Sequence, residues 1–171
     1  MSGNNGIPLL WGAGTSNNGL LQSALTLLST ESGFNSLANG SAVVSSVGGS
    51  SGVFTNANTG QAMRGDVYLT LGAIGSALSA GAVVSGWFLT SLDGGTTFEN
   101  YVAGAALARA PDFIIPLPAT TITAGWVYKS NGLHGVTVPA VPFKVVLQNN
   151  TGQTFASSSN TLKLATPTAD Y

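Results

Sequence analysis

The carboxylates of Asp93 and Glu99 come nearest to a catalytic spacing in this sequence. They flank one turn in SLDGGTTFE (91–99), and a glycosidase uses two carboxyl groups facing one substrate bond. Two solvated charges beside a turn are the alternative, and the local sequence favours it because Asp-Gly-Gly is typical of tight turns. We therefore expect Asp93 to accept hydrogen bonds from its own downstream backbone.

The same stretch, Ser91 to Phe98, resembles the Asp-box turn of sialidases and related β-propellers. In those enzymes the motif recurs on several blades and lies away from the catalytic arginines. Here it occurs once, in a chain too short for a propeller. The resemblance therefore implies a hairpin turn and not an active site.

A nucleophilic serine is a second candidate chemistry. Ser50 is central in GGSSG (48–52), which formally matches the nucleophile elbow, but the following VFTNANTG lacks the helical period that the elbow requires. His134 is the single histidine and the chain has no cysteine, so no histidine-based metal cluster can be assembled. The sequence neither excludes nor favours a Ser-His-Asp triad, whose members meet only in space. We predict no catalytic, cofactor-binding or metal-binding residue and expect a protein that is not an enzyme.

Composition narrows the choice of partners. The chain has 171 residues, a formal net charge of -1, and only 6% charged residues against 44% hydrophobic ones. It lacks the basic stripe of a nucleic-acid binder and the basic amphipathic helix of a membrane binder. No standard export signal or membrane-spanning run is apparent, so synthesis in the cytoplasm is expected. A nearly neutral protein associates readily because charge repulsion is weak.

The second half of the chain predicts an all-β fold. Short alternating or apolar runs follow Gly65 at intervals of about ten residues, which is typical of a single antiparallel β-sandwich. Asn131-Gly132 predicts a two-residue hairpin. The expected strands are GDVYLTLGA, AVVSGWFLTSL, TTFENYV, DFIIPL, TTITAGWVYK, FKVVLQNN and NTLKLA, with SAVVSSV as an earlier one.

The N-terminal part differs in composition. Residues 1–19 are rich in Gly, Ser and Asn and predict a flexible arm, whereas residues 20–171 form the sandwich domain. The pattern of residues 20–30 suits a helix as well as a buried strand, and the sequence does not decide between them.

Six residues are candidates for contacts with a capsid or another subunit. An apolar run in the arm is costly to leave in water, so we expect it to dock on a neighbouring subunit. Two scarce arginines can each anchor an interface through a carboxylate, although solvated loop positions explain them equally well. The six candidates are Ile7, Leu9, Leu10, Trp11, Arg64 and Arg109.

The second half of the chain resembles small capsid decoration (cement) proteins of tailed bacteriophages. The likeness spans roughly residues 41–171 and rests on GDVYLTLG, GWFLTSLDGGTTFE, ARAPDFIIPLP and VPFKVVLQNNTGQTFASSSNTLKLAT. It implies a jelly-roll β-sandwich on the exterior of the virion, bound to the major capsid protein, which it stabilises. It also implies a homo-oligomer, a dimer or trimer.

Three other functions stay open. A carbohydrate-binding module of a head fibre or tail tip would use Trp87, Trp126 or the loop around His134, although aromatic residues in strands are more often core. A hydrolase would use Asp93 and Glu99. A tail-tube or connector subunit would have a similar composition.

Overall fold

The computed structural model describes residues 34–45, 53–54, 63–130 and 135–165, and the structural statements below concern these residues. Their regular structure consists of β-strands, which confirms the predicted all-β class. The strands are β1 (Ala42–Val44), β2 (Met63–Thr70), β3 (Val83–Thr90), β4 (Phe113–Pro116), β5 (Val127–Lys129), β6 (Val136–Val138), β7 (Phe143–Asn150) and β8 (Thr161–Ala165).

The first sheet, here called sheet 1, has the strand order β1-β7-β3-β4 and is antiparallel throughout. β3 and β7 are paired along their whole length, from Val83 opposite Asn150 to Thr90 opposite Phe143. β4 lies at one edge, and Pro116 suits that place because it has no amide hydrogen to donate to a further strand. The paired centre of sheet 1 is therefore the β3–β7 ladder.

The second sheet, sheet 2, is organised around β2, which pairs antiparallel with β5, β6 and β8. β5 and β8 both pair with the stretch from Tyr68 to Thr70, so they lie on opposite sides of β2. β6 pairs with the start of β2, from Met63 to Gly65. One long strand thus carries all the others of this sheet.

The two sheets enclose one hydrophobic core, as expected for a sandwich. Sheet 1 contributes Val84, Phe88 and Val145, and sheet 2 contributes Val67 and Leu69. Alternation sets this arrangement, because every second residue of β2 faces inward while its neighbours face outward. The largest fully buried side chains are Phe34, Phe143, Leu69, Leu71, Leu89, Ile115, Leu147, Val67, Val84, Val138 and Val145.

The outer face of sheet 1 is also buried, because the connection between β3 and β4 folds back over it. This connection, residues 91–112, is called the covering loop below. It places Phe98, Tyr101 and Leu107 against a second apolar cluster formed by Ala42, Trp87, Leu89 and Val146. β3 is consequently buried on both faces along most of its length.

One sequence-based expectation about strands is wrong. TTFENYV (96–102) forms no strand and therefore no hairpin with β3; it belongs to the covering loop, and the next strand in the chain that pairs with β3 is β4. Long-range pairing here overrides a local turn preference. Asn131 and Gly132, for which a hairpin was expected, lie outside the described residues.

Other expectations stay predictions. Residues 1–19 and 20–30 lie outside the described part of the chain. The jelly-roll pattern of connections is not established by the strand order of the two sheets.

β3 and β4 approach each other closely at Gly86 and Phe113. A Cβ added to Gly86 would overlap the ring of Phe113 across the ladder, whereas a Cβ at Gly75 would meet nothing within 4 Å. We expect Gly86→Ala to lower the free energy of unfolding by about 1–3 kcal/mol. Gly75→Ala, the matched control, should change it by less than about 0.5 kcal/mol. Urea unfolding measures both, and equal midpoints would contradict this packing.

Candidate functional site

The turn that begins the covering loop is built around Asp93. Asp93 Oδ1 accepts hydrogen bonds from the backbone N–H of Thr96 at 3.1 Å and of Thr97 at 2.7 Å. Ser91 Oγ donates to Asp93 Oδ1 at 2.7 Å and accepts from the N–H of Gly95 at 3.0 Å. The glycines at 94 and 95 have φ of 75° and 100°, which other residues rarely adopt. The expected aspartate turn is therefore confirmed.

These hydrogen bonds also fix the charge of Asp93. Donors on the side chain and backbone of Thr97, on Ser91 and on the backbone of Thr96 hold the pKa of its carboxyl well below the ordinary aspartate value. The group is therefore ionised at neutral pH. Such a carboxylate is unsuited to the role of general acid, which requires a bound proton near the working pH.

Arg109 holds the other end of the covering loop to β3. Its guanidinium bridges Asp112 at 2.8 Å and Glu99 at 3.3 Å and donates to the carbonyl of Phe88 at 2.8 Å. Trp87 Nε1 in turn donates to the Arg109 carbonyl at 3.0 Å. Arg109 thus makes its carboxylate contacts within its own subunit.

The two carboxylates considered as a glycosidase pair, Asp93 and Glu99, have different hydrogen-bond and ion-pair partners. Asp93 is engaged by the turn that it organises, and Glu99 is bound to Arg109. Neither carboxylate serves as hydrogen-bond partner or charge neighbour of the other in these contacts. The arrangement is that of a loop held in place.

Several other candidates lie outside the described residues. These are Ser50, His134 and the arm residues Ile7, Leu9, Leu10 and Trp11. Arg64 is described: it lies on β2 opposite Thr137 and is exposed. Among the described residues, no group of three or more His, Cys, Asp or Glu side chains could hold a metal ion.

The tryptophans divide between core and surface. Trp87 is only 3% exposed and belongs to the cluster under the covering loop, which agrees with the core interpretation. Trp126, immediately before β5, is 47% exposed. Of these two candidates for sugar stacking, only Trp126 is open to a ligand.

In the part of the chain that the structure describes, the outward-facing side of sheet 2 is open; it is here called the sheet 2 face. Cross-strand pairing sets its side chains in rows. One row is Lys163–Tyr68–Lys129 and the next is Thr161–Thr70–Val127. Arg64, opposite Thr137, extends the face along β2. The three cations and Thr137 are exposed.

Among the described residues of this face, one carboxylate, that of Asp66, lies among these cations. Lys129 Nζ is 2.9 Å from Asp66 Oδ2, and the hydroxyl of Tyr68 donates to the same oxygen at 3.3 Å. The hydrogen bond to Asp66 raises the pKa of Lys129, while burial and the charge of Asp66 raise that of Tyr68. Lys129 therefore stays protonated and Tyr68 stays neutral at physiological pH.

The local sequence does not predict the sheet 2 face. Alternation along β2 indicates that Arg64, Asp66 and Tyr68 share one side of their strand. Nothing in the local sequence shows that Lys129 and Lys163 lie on either side of Tyr68, because that depends on which strands pair with β2.

Comparison of the chain with protein-family models, with curated proteins and with solved structures gives no match. In the part of the chain that the structure describes, no helix is long and apolar enough to cross a membrane.

The low pKa of Asp93 predicts a pH dependence of stability. A carboxyl whose pKa is lower in the folded than in the unfolded chain stabilises the fold above the unfolded value, and this contribution is lost as the pH falls. We expect Asp93→Asn to melt at a lower temperature than the wild type at neutral pH, and the difference to narrow progressively as the pH falls below about 4 towards the lowered pKa of the folded state. Thermal unfolding across this range measures the difference. A gap that stays constant with pH would contradict the assigned charge.

Proposed function

We propose that this chain is a non-enzymatic structural protein of a tailed-bacteriophage particle. In this proposal it binds the outer face of the assembled head and stabilises contacts between major capsid subunits. The main support for the proposal is that side chains with reactive groups have structural roles. Asp93, Glu99 and Arg109 all hold the covering loop in place. The sequence resemblance supplies the type of particle.

The distribution of charge supports a role in dense assembly. Few charges are present, and several are engaged within the chain, as in the ion pairs Arg109–Glu99, Arg109–Asp112 and Lys129–Asp66. Lys144 lies over the ring of Phe98, 4.6 Å from its centroid. Weak long-range repulsion between copies permits close packing on a repeating surface.

Exposed apolar side chains on a fixed frame also support binding to a partner. Val127 and Trp126 are exposed beside β5. Apolar and aromatic groups of this kind supply much of the binding energy when they are desolvated at the centre of an interface.

The mechanism in this proposal is mass action. A protein that binds only the assembled shell stabilises the shell by RT ln(1 + [L]/Kd) at each site, and the gain is repeated over the lattice. The arm, with Ile7, Leu9, Leu10 and Trp11, adds apolar contact when it docks, against the entropic cost of ordering it. The proposal includes the jelly-roll connections, a dimer or trimer and a location on the virion exterior.

One observation favours a second candidate, a carbohydrate-binding module of a head fibre or tail tip. Trp126 is exposed at the end of a β-strand, where a sugar ring can stack on an indole. Its fluorescence would then respond to glycans, and Trp126→Ala would remove the response. A chain that binds shells and shows no response to glycans would fit the first proposal alone.

Quantitative mass spectrometry of purified source particles tests the proposed function. We expect this chain in copy numbers comparable to those of the major capsid subunit, because a stabilising protein acts at repeated lattice sites. A few copies per particle would instead indicate a fibre, tail or connector component. Absence from particles would contradict a virion role altogether.

A further inference from the structure

Basic residues are gathered on one side of the sandwich. The chain has five Lys and Arg residues, and three of them, Arg64, Lys129 and Lys163, project from the sheet 2 face. All three are exposed, and Asp66 is the one carboxylate among them in the described strands of this sheet. Among the described residues, the outward side chains of this sheet therefore include more cations than carboxylates, although the chain as a whole has a formal net charge of -1.

The opposite side of the sandwich differs from the sheet 2 face in the sign of its charge, and a loop covers much of it. The covering loop carries three carboxylates, Asp93, Glu99 and Asp112, against the single guanidinium of Arg109. Lys144, on β7, lies under this loop against Phe98. The loop covers outward residues of β1, β3 and β7, whereas Ile114 and Pro116 of the edge strand β4 are exposed. Among the described strands, the outward side that carries exposed cations is that of sheet 2.

We propose that the sheet 2 face is the surface by which this chain binds an acidic protein surface. This inference rests on the proposed function for the identity of that partner, which would be a carboxylate-rich surface of the shell subunits. The acidic covering loop then points away from the shell. Charge complementarity selects the orientation, because the reversed orientation brings carboxylates against carboxylates.

The geometry of the face suits such a partner. Lys129 and Lys163 flank Tyr68 across paired strands, so their spacing is fixed by the ladder and little backbone order must be gained on binding. Lysine stems cover apolar surface while their ammonium groups reach carboxylates. Arginine and tyrosine, both on this face, are enriched in the parts of interfaces that contribute most to affinity.

An apolar margin adjoins the cations. Val127 lies in the row beside Lys129, opposite Thr70, and is 60% exposed, and Trp126 precedes it in the chain. Contact at this margin removes apolar surface from water. The cations guide the approach of the partner and fix the orientation in which it binds. Binding through this face should therefore weaken with salt without vanishing, because the apolar contribution is not screened.

Lys163→Glu tests this inference, with Lys144→Glu as the matched control. Both variants change the charge of the chain by the same amount, and both substituted residues lie on strands. Lys163 is on β8 and Lys144 is on β7, on opposite sides of the sandwich. Two probes are used: source-particle heads depleted of this chain, and immobilised poly-L-glutamate. Melting curves establish that both variants are folded before binding is compared.

We expect Lys163→Glu to raise the Kd for depleted heads about tenfold at low ionic strength, with a smaller effect at high salt, and Lys144→Glu to leave it within about twofold. Lys163→Glu should also reduce retention on poly-L-glutamate more than Lys144→Glu does. Equal effects of the two variants on both probes would overturn the assigned face. Retention that depends on Lys163, without binding of the wild type to heads, would support the face and contradict the proposed function.

Discussion

The structure depends on the burial of β3 and β7 on both faces. A sheet buried on one side only would leave Trp87, Leu89 and Val146 in water, and each such side chain contributes about 1.5–3 kcal/mol when it is fully buried. The chain meets this requirement with its own covering loop. Arg109 holds that loop by bridging Glu99 and Asp112 and by binding the carbonyl of β3 residue Phe88. Several of the scarce charges therefore stabilise the fold itself.

Because the covering loop packs on sheet 1, it determines which charged surfaces stay accessible to a partner. Sheet 1 is closed by a loop that carries carboxylates, and the open strand face belongs to sheet 2 and carries the cations Arg64, Lys129 and Lys163. The two sides of the sandwich thus differ in sign, although the whole chain is nearly neutral. A protein of this kind can lie close to its own copies and still dock with a preferred orientation. That combination is what a coat of stabilising subunits needs.

The sequence predicted the features that depend on local chemistry. The alternating run after Gly65 predicted the strand β2, and Asp-Gly-Gly predicted the turn at Asp93. It did not predict that 96–102 would cover sheet 1, because a short, partly polar run with a phenylalanine and a tyrosine suits a strand or a packed loop equally. It also did not predict that β5 and β6 share β2 as their partner, because that depends on long-range pairing. The cationic face escaped prediction for the same reason.

Hydrogen–deuterium exchange of this chain, free and bound to depleted heads, tests the central claim most directly. The claim is that the open sheet binds the shell while the covered sheet faces outward. Binding should slow exchange in β2, β5 and β8, whose outward side chains include Tyr68, Lys129 and Lys163. Exchange in the covering loop should stay unchanged. Slowed exchange in the covering loop with none in sheet 2 would contradict the account.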